Sequence, residues 1–326
     1  MKRILSIAVA IFATITLGAQ NIAVVNGNST KVYQTLDEAI NEAESGSIIY
    51  IPGGGFQVTD NAKIDKRLTI MGVSHRGDTD NVDGATIISG NLNFIAGSSH
   101  SAVYSLYVSG NINVTDSVAN FTVRYCNVKS IQVGSSKSGG MIINQCYVRE
   151  NSNFSNCNVK LKNNIMHSMR DINAGVIINN VITSSISEWN GNVWRNYAFW
   201  NVNSATIMNN FLLSAGNGIH SGGSCTISNN CIGTGAWGDD PVVLPEGTTW
   251  ETVFKANKGV TIVSDYHLSE TWAKSKEPDL TGIGIYGGSG FSDEALAPIP
   301  RIVSKKVAES TDGSGKLQIE VTVKAQ

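Results

Sequence analysis

The most aromatic stretch of the chain lies between residues 188 and 200, and its side chains suit carbohydrate binding. Tryptophan and tyrosine rings stack on sugars because the C–H groups of a sugar face the negative surface of the ring. The candidate ligand-binding residues here are Trp189, Trp194, Arg195 and Tyr197. We expect the two tryptophans, beside Glu188 and Arg195, to be exposed, and Phe199 and Trp200 to belong to the core. The alternative is a hydrophobic patch that folds against the rest of the protein.

Basic side chains form a second candidate surface. Lys129 and Arg149 are 20 residues apart, which is the period of the sequence repeat described below. His167 and Arg170 fall near the same edge one repeat later. Arginine binds carboxylates and sulfates through paired hydrogen bonds, so an acidic polysaccharide would find a track here. The alternative is that these side chains are simply solvated and bind no ligand, because like charges about 5 Å apart repel by less than about 1 kcal/mol in water. Lys129 and Arg149 are retained as ligand-binding candidates.

Acidic side chains offer few candidates for catalysis. Glu150, Asp171 and Glu188 are single and scattered, whereas Asp239 and Asp240 are adjacent. Two carboxylates can serve as the acid and the base of glycoside hydrolysis, although adjacent acids in a turn are more often simply solvated. The catalytic candidates are Asp239, Asp240, Glu188 and Arg170, and whether the protein is an enzyme stays open. No metal-ligand spacing is present, so we predict no metal and no cofactor.

The elements that position these residues are indicated by recurring pairs of amide residues, each flanked on both sides by apolar residues. The pairs and their weaker copies end at Tyr125, Gln145, Asn164, Asn180, Asn210 and Asn230, in steps of 20, 19, 16, 30 and 20 residues. Self-similarity near this period is typical of a solenoid. The flanking Val, Ile, Phe and Cys residues favour strands. The sequence therefore predicts an all-β fold, a single right-handed parallel β-helix.

This fold predicts two inward columns, one residue type above another. The first contains Thr122, Ile142, Leu161, Ile177, Ile207 and Ile227, and the second contains Cys126, Cys146, Ile165, Val181, Phe211 and Cys231. The amides between them mark a tight bend, since Asn tolerates left-handed backbone angles, and their side chains are expected to bond to the next repeat. We interpret the amides as scaffold, with sugar binding as the alternative.

The five cysteines are interpreted as buried small hydrophobes. Three of them, Cys126, Cys146 and Cys231, fall in the second predicted column, and Cys157 and Cys225 lie in strand-like runs. An exported protein could oxidise them, and Cys126 with Cys146 is the pair to test. We expect five free thiols.

Composition and the first residues indicate export. A basic start, an apolar stretch from Ile4 to Leu17 and small residues before Gln20 are typical of a secretory signal, with cleavage expected after Ala19. No other stretch is long and apolar enough for a membrane span. A net charge of −2 excludes the basic footprint of a nucleic-acid-binding protein.

The two ends differ from the repeats. Residues 33–43 predict an amphipathic helix capped by Thr35, followed by buried strands, which suits the cap of an open solenoid end. From residue 235 the amide pairs stop and Trp and Pro become frequent, which predicts an irregular lobe. Residues 298–300 are expected to form a stiff linker, and the last run, around Asp312-Gly313-Ser314-Gly315, predicts a β-hairpin.

Several of these runs resemble a known family. The run Thr35-Leu36-Asp37-Glu38-Ala39-Ile40, with Ile51-Pro52-Gly53 and residues 68–72, is similar to the start of pectate-lyase-like right-handed β-helix proteins. Residues 265–268 and 282–288 resemble the ending of a group of secreted bacterial β-helix proteins without established activity. The group often has an acidic residue where Gly282 stands. The lyases of the family use calcium held by clustered acids, so calcium is expected here only if the chain is a lyase.

The sequence thus predicts a secreted, periplasmic or cell-surface monomer that binds polysaccharide without catalysis. The alternatives are a polysaccharide lyase or glycoside hydrolase acting on an acidic glycan, and a structural or adhesive solenoid. The expected partner is a glycan, with no nucleic acid and no membrane span. The expected divisions are 1–19 signal peptide, 20–47 cap, 48–234 β-helix, 235–297 lobe and 298–326 hairpin.

Overall fold

The structure is a computed structural model, and it describes residues 21–324 except 60–61, 77–83, 116, 135–138, 190, 215–217, 222, 234–240, 256–264, 276, 289 and 293–300. The fold is all-β, and most of its strands pair in parallel in two extended sheets, an arrangement consistent with a solenoid. The predicted signal peptide and the candidate acids Asp239 and Asp240 lie outside the described residues.

The long sheet contains most of the described strands. Its first strand pairs in antiparallel fashion with the second and the third, and the remaining pairings from one repeat to the next are parallel. The strands are Ile22–Asn26, Ser29–Tyr33, Ile48–Tyr50, Lys63–Ile64, Thr69–Met71, Leu92–Phe94, Ala102–Tyr104, Ile112–Val114, Thr122–Arg124, Ile131–Val133, Met141–Asn144, Ser152–Lys162, Met169–Ile178, Phe199–Val202, Ala205–Met208, Ile219–Ser221 and Thr226–Ser228.

The second sheet follows the amide turns and is entirely parallel. Its strands are Gly54–Gln57, Thr86–Ser89, Tyr107–Val108, Asn127–Val128, Tyr147–Val148, Ile165–Met166, Val181–Ile182, Phe211–Leu212, Cys231–Ile232 and Val242–Val243. Two separate antiparallel hairpins complete the strands: Ile186–Trp189 with Trp194–Tyr197, and Arg301–Thr311 with Leu317–Lys324.

One column of aliphatic side chains runs through the main core, the buried cluster between the two sheets. In successive strands the register joins Ile49, Ile70, Val103, Val123, Ile143, Leu161, Ile177, Ile207 and Ile227. All of them are fully buried except Ile227, which is partly buried. The predicted column is therefore confirmed for Leu161, Ile177 and Ile207.

The predicted register was wrong by one residue in the earlier repeats. Ile143, not Ile142, pairs with Leu161, and Val123, not Thr122, lies below it. Because neighbouring residues of a strand point to opposite faces, Ile142 and Thr122 are only half-buried and face outward.

The amides form a ladder at the turn between the long and second sheets. The first residue of each pair has a positive φ: Tyr125, Gln145, Asn163, Asn179, Asn209 and Asn229 lie between 49° and 58°. Left-handed backbone at this bend was predicted, but Tyr125 and Gln145 take the first position and not the predicted second one. The second residues, Asn164, Asn180, Asn210 and Asn230, are buried and hydrogen-bond from repeat to repeat. The scaffold interpretation therefore holds for these amides.

Two cysteines occupy the lower steps of this ladder. The backbone N–H of Cys146 donates to Oδ1 of Asn164 at 2.9 Å. The Cys146 thiol contacts the carbonyls of Asn144 and Val123 at 3.3 and 3.5 Å, and Nδ2 of an Asn at this position makes the equivalent pair of bonds. Cys126 and Cys146 are thus in the ladder and not in the predicted apolar column.

The remaining members of that column face outward. Ile165, Val181, Phe211 and Cys231 are in register in the second sheet, together with Tyr147, which was not among the predicted members. The residue after each of them enters the main core. Their outward side chains are buried because the C-terminal lobe, the described part of residues 244–292, packs on them. The two sets form a second core, to which the lobe contributes Leu244, Val253, Phe254, Tyr266, Leu280, Ile283, Ile285 and Phe291.

The lobe is held by the first residues of the amide pairs. Nδ2 of Asn163 donates to the carbonyls of Ile285 and Gly287 at 2.7 and 3.0 Å, and Nδ2 of Asn179 donates to Gly282 at 2.8 Å. Gly284 has a φ of +74°, and a Cβ there would lie 2.3 Å from the ring of Phe211. A side chain at residue 284 would therefore collide with Phe211, which explains the glycine at this position.

The ends of the chain follow the predictions in part. A helix at Leu36–Glu42 is capped by Thr35, whose Oγ1 accepts the N–H of Glu38. Two further short helices, Trp250–Val253 and Glu270–Lys274, lie in the lobe. Among the residues that the structure describes, no helix has both the length and the apolarity to cross a membrane.

Candidate functional site

The ten-residue excess between Asn180 and Asn210 forms the side hairpin, Ile186–Trp189 paired with Trp194–Tyr197. It leaves the repeats after the second-sheet strand Val181–Ile182 and returns at Phe199–Val202. Its register pairs Ile186 with Tyr197, Glu188 with Arg195, and Trp189 with Trp194. Because side chains alternate along each strand, Ile186, Glu188, Arg195 and Tyr197 share one face and the two tryptophans the other.

The inner face of the side hairpin is attached to the long sheet. Tyr197 is 7% exposed, and its ring packs against Trp200 and His220 at centroid distances of 5.2 and 5.4 Å. The carboxylate of Glu188 lies 3.8 Å from Nη1 of Arg170. Packing and one ion pair therefore fix the base of the hairpin.

The outer face presents an aromatic pair to solvent. Trp189 and Trp194 are 54% and 68% exposed, as expected, and their ring centroids are 5.7 Å apart with the planes at 55°. In the described part of the chain, these two rings contact each other and no third aromatic ring. Phe199 is buried as expected, but Trp200 is not: it faces outward, half-buried, and stacks on His220 at 4.0 Å.

A polar row leads along the long sheet to this aromatic cluster. In successive repeats the register joins Asn93, Asn113, Gln132, Asn153, Arg170 and Trp200, all partly exposed. Parallel strands place such neighbours about 4.8 Å apart. The result is a ladder of hydrogen-bonding side chains that ends in Arg170 and the rings of Trp200 and His220.

The catalytic candidates come together only in part. Arg170 binds two carboxylates, with Nε 2.9 Å from Oδ2 of Asp171 and Nη1 3.8 Å from Glu188. Asp171 also accepts a hydrogen bond from Asn201 at 2.8 Å. Both carboxylates are thus paired with one guanidinium. Within the described ranges, no group of three or more potential metal ligands occurs.

The side chains of the predicted basic edge mostly contact other groups of the protein. Arg149 lies 4.6 Å above the ring of Tyr107 and donates to Oδ1 of Asn127 and, at 2.9 Å, to the carbonyl of Val108. Burial lowers the pKa of Arg149 from its usual range, while the charges of Tyr107 and Glu150 oppose that shift. Lys129 lies 3.8 Å from Glu150, and Arg170 belongs to the polar row instead.

Sequence reasoning missed the polar row and a group of three cations, Arg124, Lys160 and Lys162. All of them lie in strands whose alternate residues are buried. The sequence does show polar residues alternating with Val, Leu and Ile in these strands. Which of the polar residues become neighbours depends on the register between strands, and the register was misassigned near Gln145.

Comparison of the chain with protein-family models, with curated proteins and with solved structures finds no match of any of the three kinds.

Proposed function

We propose that this protein is an exported, right-handed parallel β-helix that binds polysaccharide at the side hairpin. The architecture is supported by the parallel register of the repeats and by the resemblance of residues 35–40 and 51–53 to pectate-lyase-like proteins. Export to the periplasm or the cell surface is supported by the basic and apolar start of the chain.

The observation that carries the proposal is the exposure of Trp189 and Trp194 together on one face of the side hairpin. Exposing two large rings in water is unfavourable, at about 25 cal/mol for each Å² of apolar surface. The inner face alone attaches the hairpin, so the outer rings are not needed for packing. Rings paired at 5.7 Å provide a platform on which the C–H faces of a sugar chain stack.

Polar side chains around the platform suit a hydroxylated ligand. Arg195 is exposed on the face of the hairpin opposite the two tryptophans, where it can reach a ligand that extends past the edge of the platform, and the polar row supplies amides at the spacing of the repeats. Amides and guanidinium groups donate to sugar hydroxyls and carboxylates.

A second candidate function is cleavage of an acidic glycan. It is favoured by the convergence of Asp171 and Glu188 on Arg170, close to the Trp200 ring. His220, stacked on that ring, has a buried Nδ1 without a hydrogen-bond partner among the described residues. A lyase of the resembled family would also need calcium, and a purely structural solenoid would bind no glycan at all.

A glycan array probed with the mature protein, followed by a product assay on each bound glycan, separates these functions. Binding without products supports the proposal, and products support the enzyme. The W189A/W194A variant tests the site, with Ile87→Ala as a control, because Ile87 is a large apolar residue 40% exposed on a strand of the second sheet. Equal binding by both variants would rule out the hairpin as the site.

A further inference from the structure

Three cations that have no ion pair among the described residues lie on a face of the long sheet that neither the side hairpin nor the polar row reaches. This middle face consists of the outward residues in the strands that precede the amide turns. There Arg124, Asn144 and Lys162 are in register on three successive repeats. Lys160 lies two residues before Lys162 and points to the same side. Strand geometry puts Arg124 and Lys162 about 10 Å apart and the two lysines about 7 Å apart.

Among the residues that the structure describes, no group neutralises these cations. Within the described ranges, Arg124, Lys160 and Lys162 make no ion pair, side-chain hydrogen bond or ring contact. Lys129, Arg149 and Arg170 differ, since each is bound to an acid, an amide or a carbonyl. The strand segments of the middle face also contain no acidic residue: 48–50, 69–71, 102–104, 122–124, 141–144, 158–162, 174–178, 205–208 and 226–228.

Two buried polar atoms at the centre of the face need a partner. Nε of Arg124 and Oδ1 of Asn144, on register-paired residues, are both buried without a hydrogen bond among the described residues. One is a donor and the other an acceptor. A hydroxyl group accepts from the first and donates to the second after a small side-chain movement. Tyr104, half-buried one repeat earlier in the same column, adds an aromatic face.

We infer that the middle face is a second binding site, for an acidic polysaccharide with carboxylate or sulfate groups spaced by about 10 Å, the separation of Arg124 and Lys162. Hydroxyls bind at Arg124 and Asn144, and the anionic groups bind at the lysines and the guanidinium. Three cations on a chain of net charge −2 are too few for a nucleic-acid footprint, whereas Tyr104 and an amide suit a sugar. The site shares no residue with the side hairpin and stands independently of it.

Affinity electrophoresis through gels containing polygalacturonate, dextran sulfate or neutral dextran tests the inference. The R124Q/K160Q/K162Q variant is compared with K31Q/K274Q/K306Q, which loses the same charge at exposed lysines elsewhere. We expect the wild type to be retarded by at least one polyanion, less so as salt rises from about 50 to about 500 mM. The first variant should lose about tenfold or more in affinity, and the control less than about twofold.

Three outcomes overturn the inference: equal loss in both variants, no retardation of the wild type by either polyanion, or tighter binding to single-stranded DNA of equal charge. Should the triple variant melt early, K160Q/K162Q provides the same comparison, because Lys160 is exposed and Lys162 partly so. If the two sites are separate, the W189A/W194A variant binds the polyanion as the wild type does. Loss of polyanion binding in this variant, with binding retained in the lysine variants, would place the polyanion at the hairpin and also overturn the inference.

Discussion

Oδ1 of Asn180 accepts two hydrogen bonds from Asn164, one from the backbone N–H and one from Nδ2, each at 2.9 Å. Asn180 makes the same two bonds to Asn210, and Asn210 makes them to Asn230. Each Nδ2 also donates to a carbonyl of the preceding repeat, such as Leu161 in the case of Asn180. One amide therefore links three successive repeats, and no other side chain of this size supplies both donors and an acceptor.

Replacement of Asn180 by alanine should lower the free energy of unfolding by about 2 to 4 kcal/mol, since each buried polar group left without a partner costs about 1 to 3 kcal/mol. Denaturant unfolding measures the change. Asn158→Ala is the matched control, because Asn158 is exposed on a strand, and it should stay within about 0.5 kcal/mol of the wild type. Similar values for the two variants would contradict the ladder.

Phe211→Ala should loosen the C-terminal lobe and cost about 3 to 5 kcal/mol. The Phe211 ring packs against Phe254 at 5.0 Å and against Trp250 at 5.9 Å, so its loss leaves a cavity in the second core. Limited proteolysis should then cut the lobe early. Phe121→Ala, in the main core, should destabilise the protein without selective cutting of the lobe; selective cutting in that variant would contradict the separation of the two cores.

The five thiols should be free, and four of them should be unreactive in the folded protein. Burial raises the pKa of Cys157 and Cys231 to about 12, and burial with the neighbouring Cys146 raises the pKa of Cys126. Cys225 is partly exposed. Alkylation without reductant, followed by mass measurement, should add at most one label to the folded protein and five after unfolding. Fewer than five labels would reveal a disulfide.

The same thiols predict that stability falls at high pH. An unfolded thiol loses its proton near the ordinary pKa of 9.0, whereas folded Cys157 and Cys231 keep theirs until about 12. Between these values the unfolded state binds fewer protons, so the free energy of unfolding decreases as pH rises. Denaturant titrations from about pH 8 to 11 should show a smaller decrease for C157A/C231A than for the wild type. Parallel curves would contradict the burial of the two thiols.

The repeat period, the all-β fold class and the residue types at the amide turns were predictable because they depend on local sequence. Asn at a positive φ and aliphatic residues around it are enough to indicate parallel repeats. Register was not predictable, because Cys146 takes the place of an Asn in the ladder and shifts Gln145 to the first position of its pair. The second core was also missed: Ile165, Val181 and Phe211 are as apolar as inward residues, and only the distant run at residues 282–288 shows that something covers them.

The side hairpin was located by its excess length, but the direction of its rings depends on tertiary contacts. Trp189 and Trp200 both face outward, but Trp200 is only half-exposed because Tyr197 and His220 pack around its ring. No local pattern distinguishes the three tryptophans.

The most direct test of glycan binding at the side hairpin is the affinity of the Trp194→Ala variant for a glycan identified on the array, measured together with its melting temperature. The proposal predicts affinity about tenfold weaker or more, which corresponds to about 1.4 kcal/mol, and a melting temperature within about 1 °C of the wild type, because Trp194 is 68% exposed. Unchanged affinity with a lowered melting temperature would contradict it and show that the ring serves packing alone.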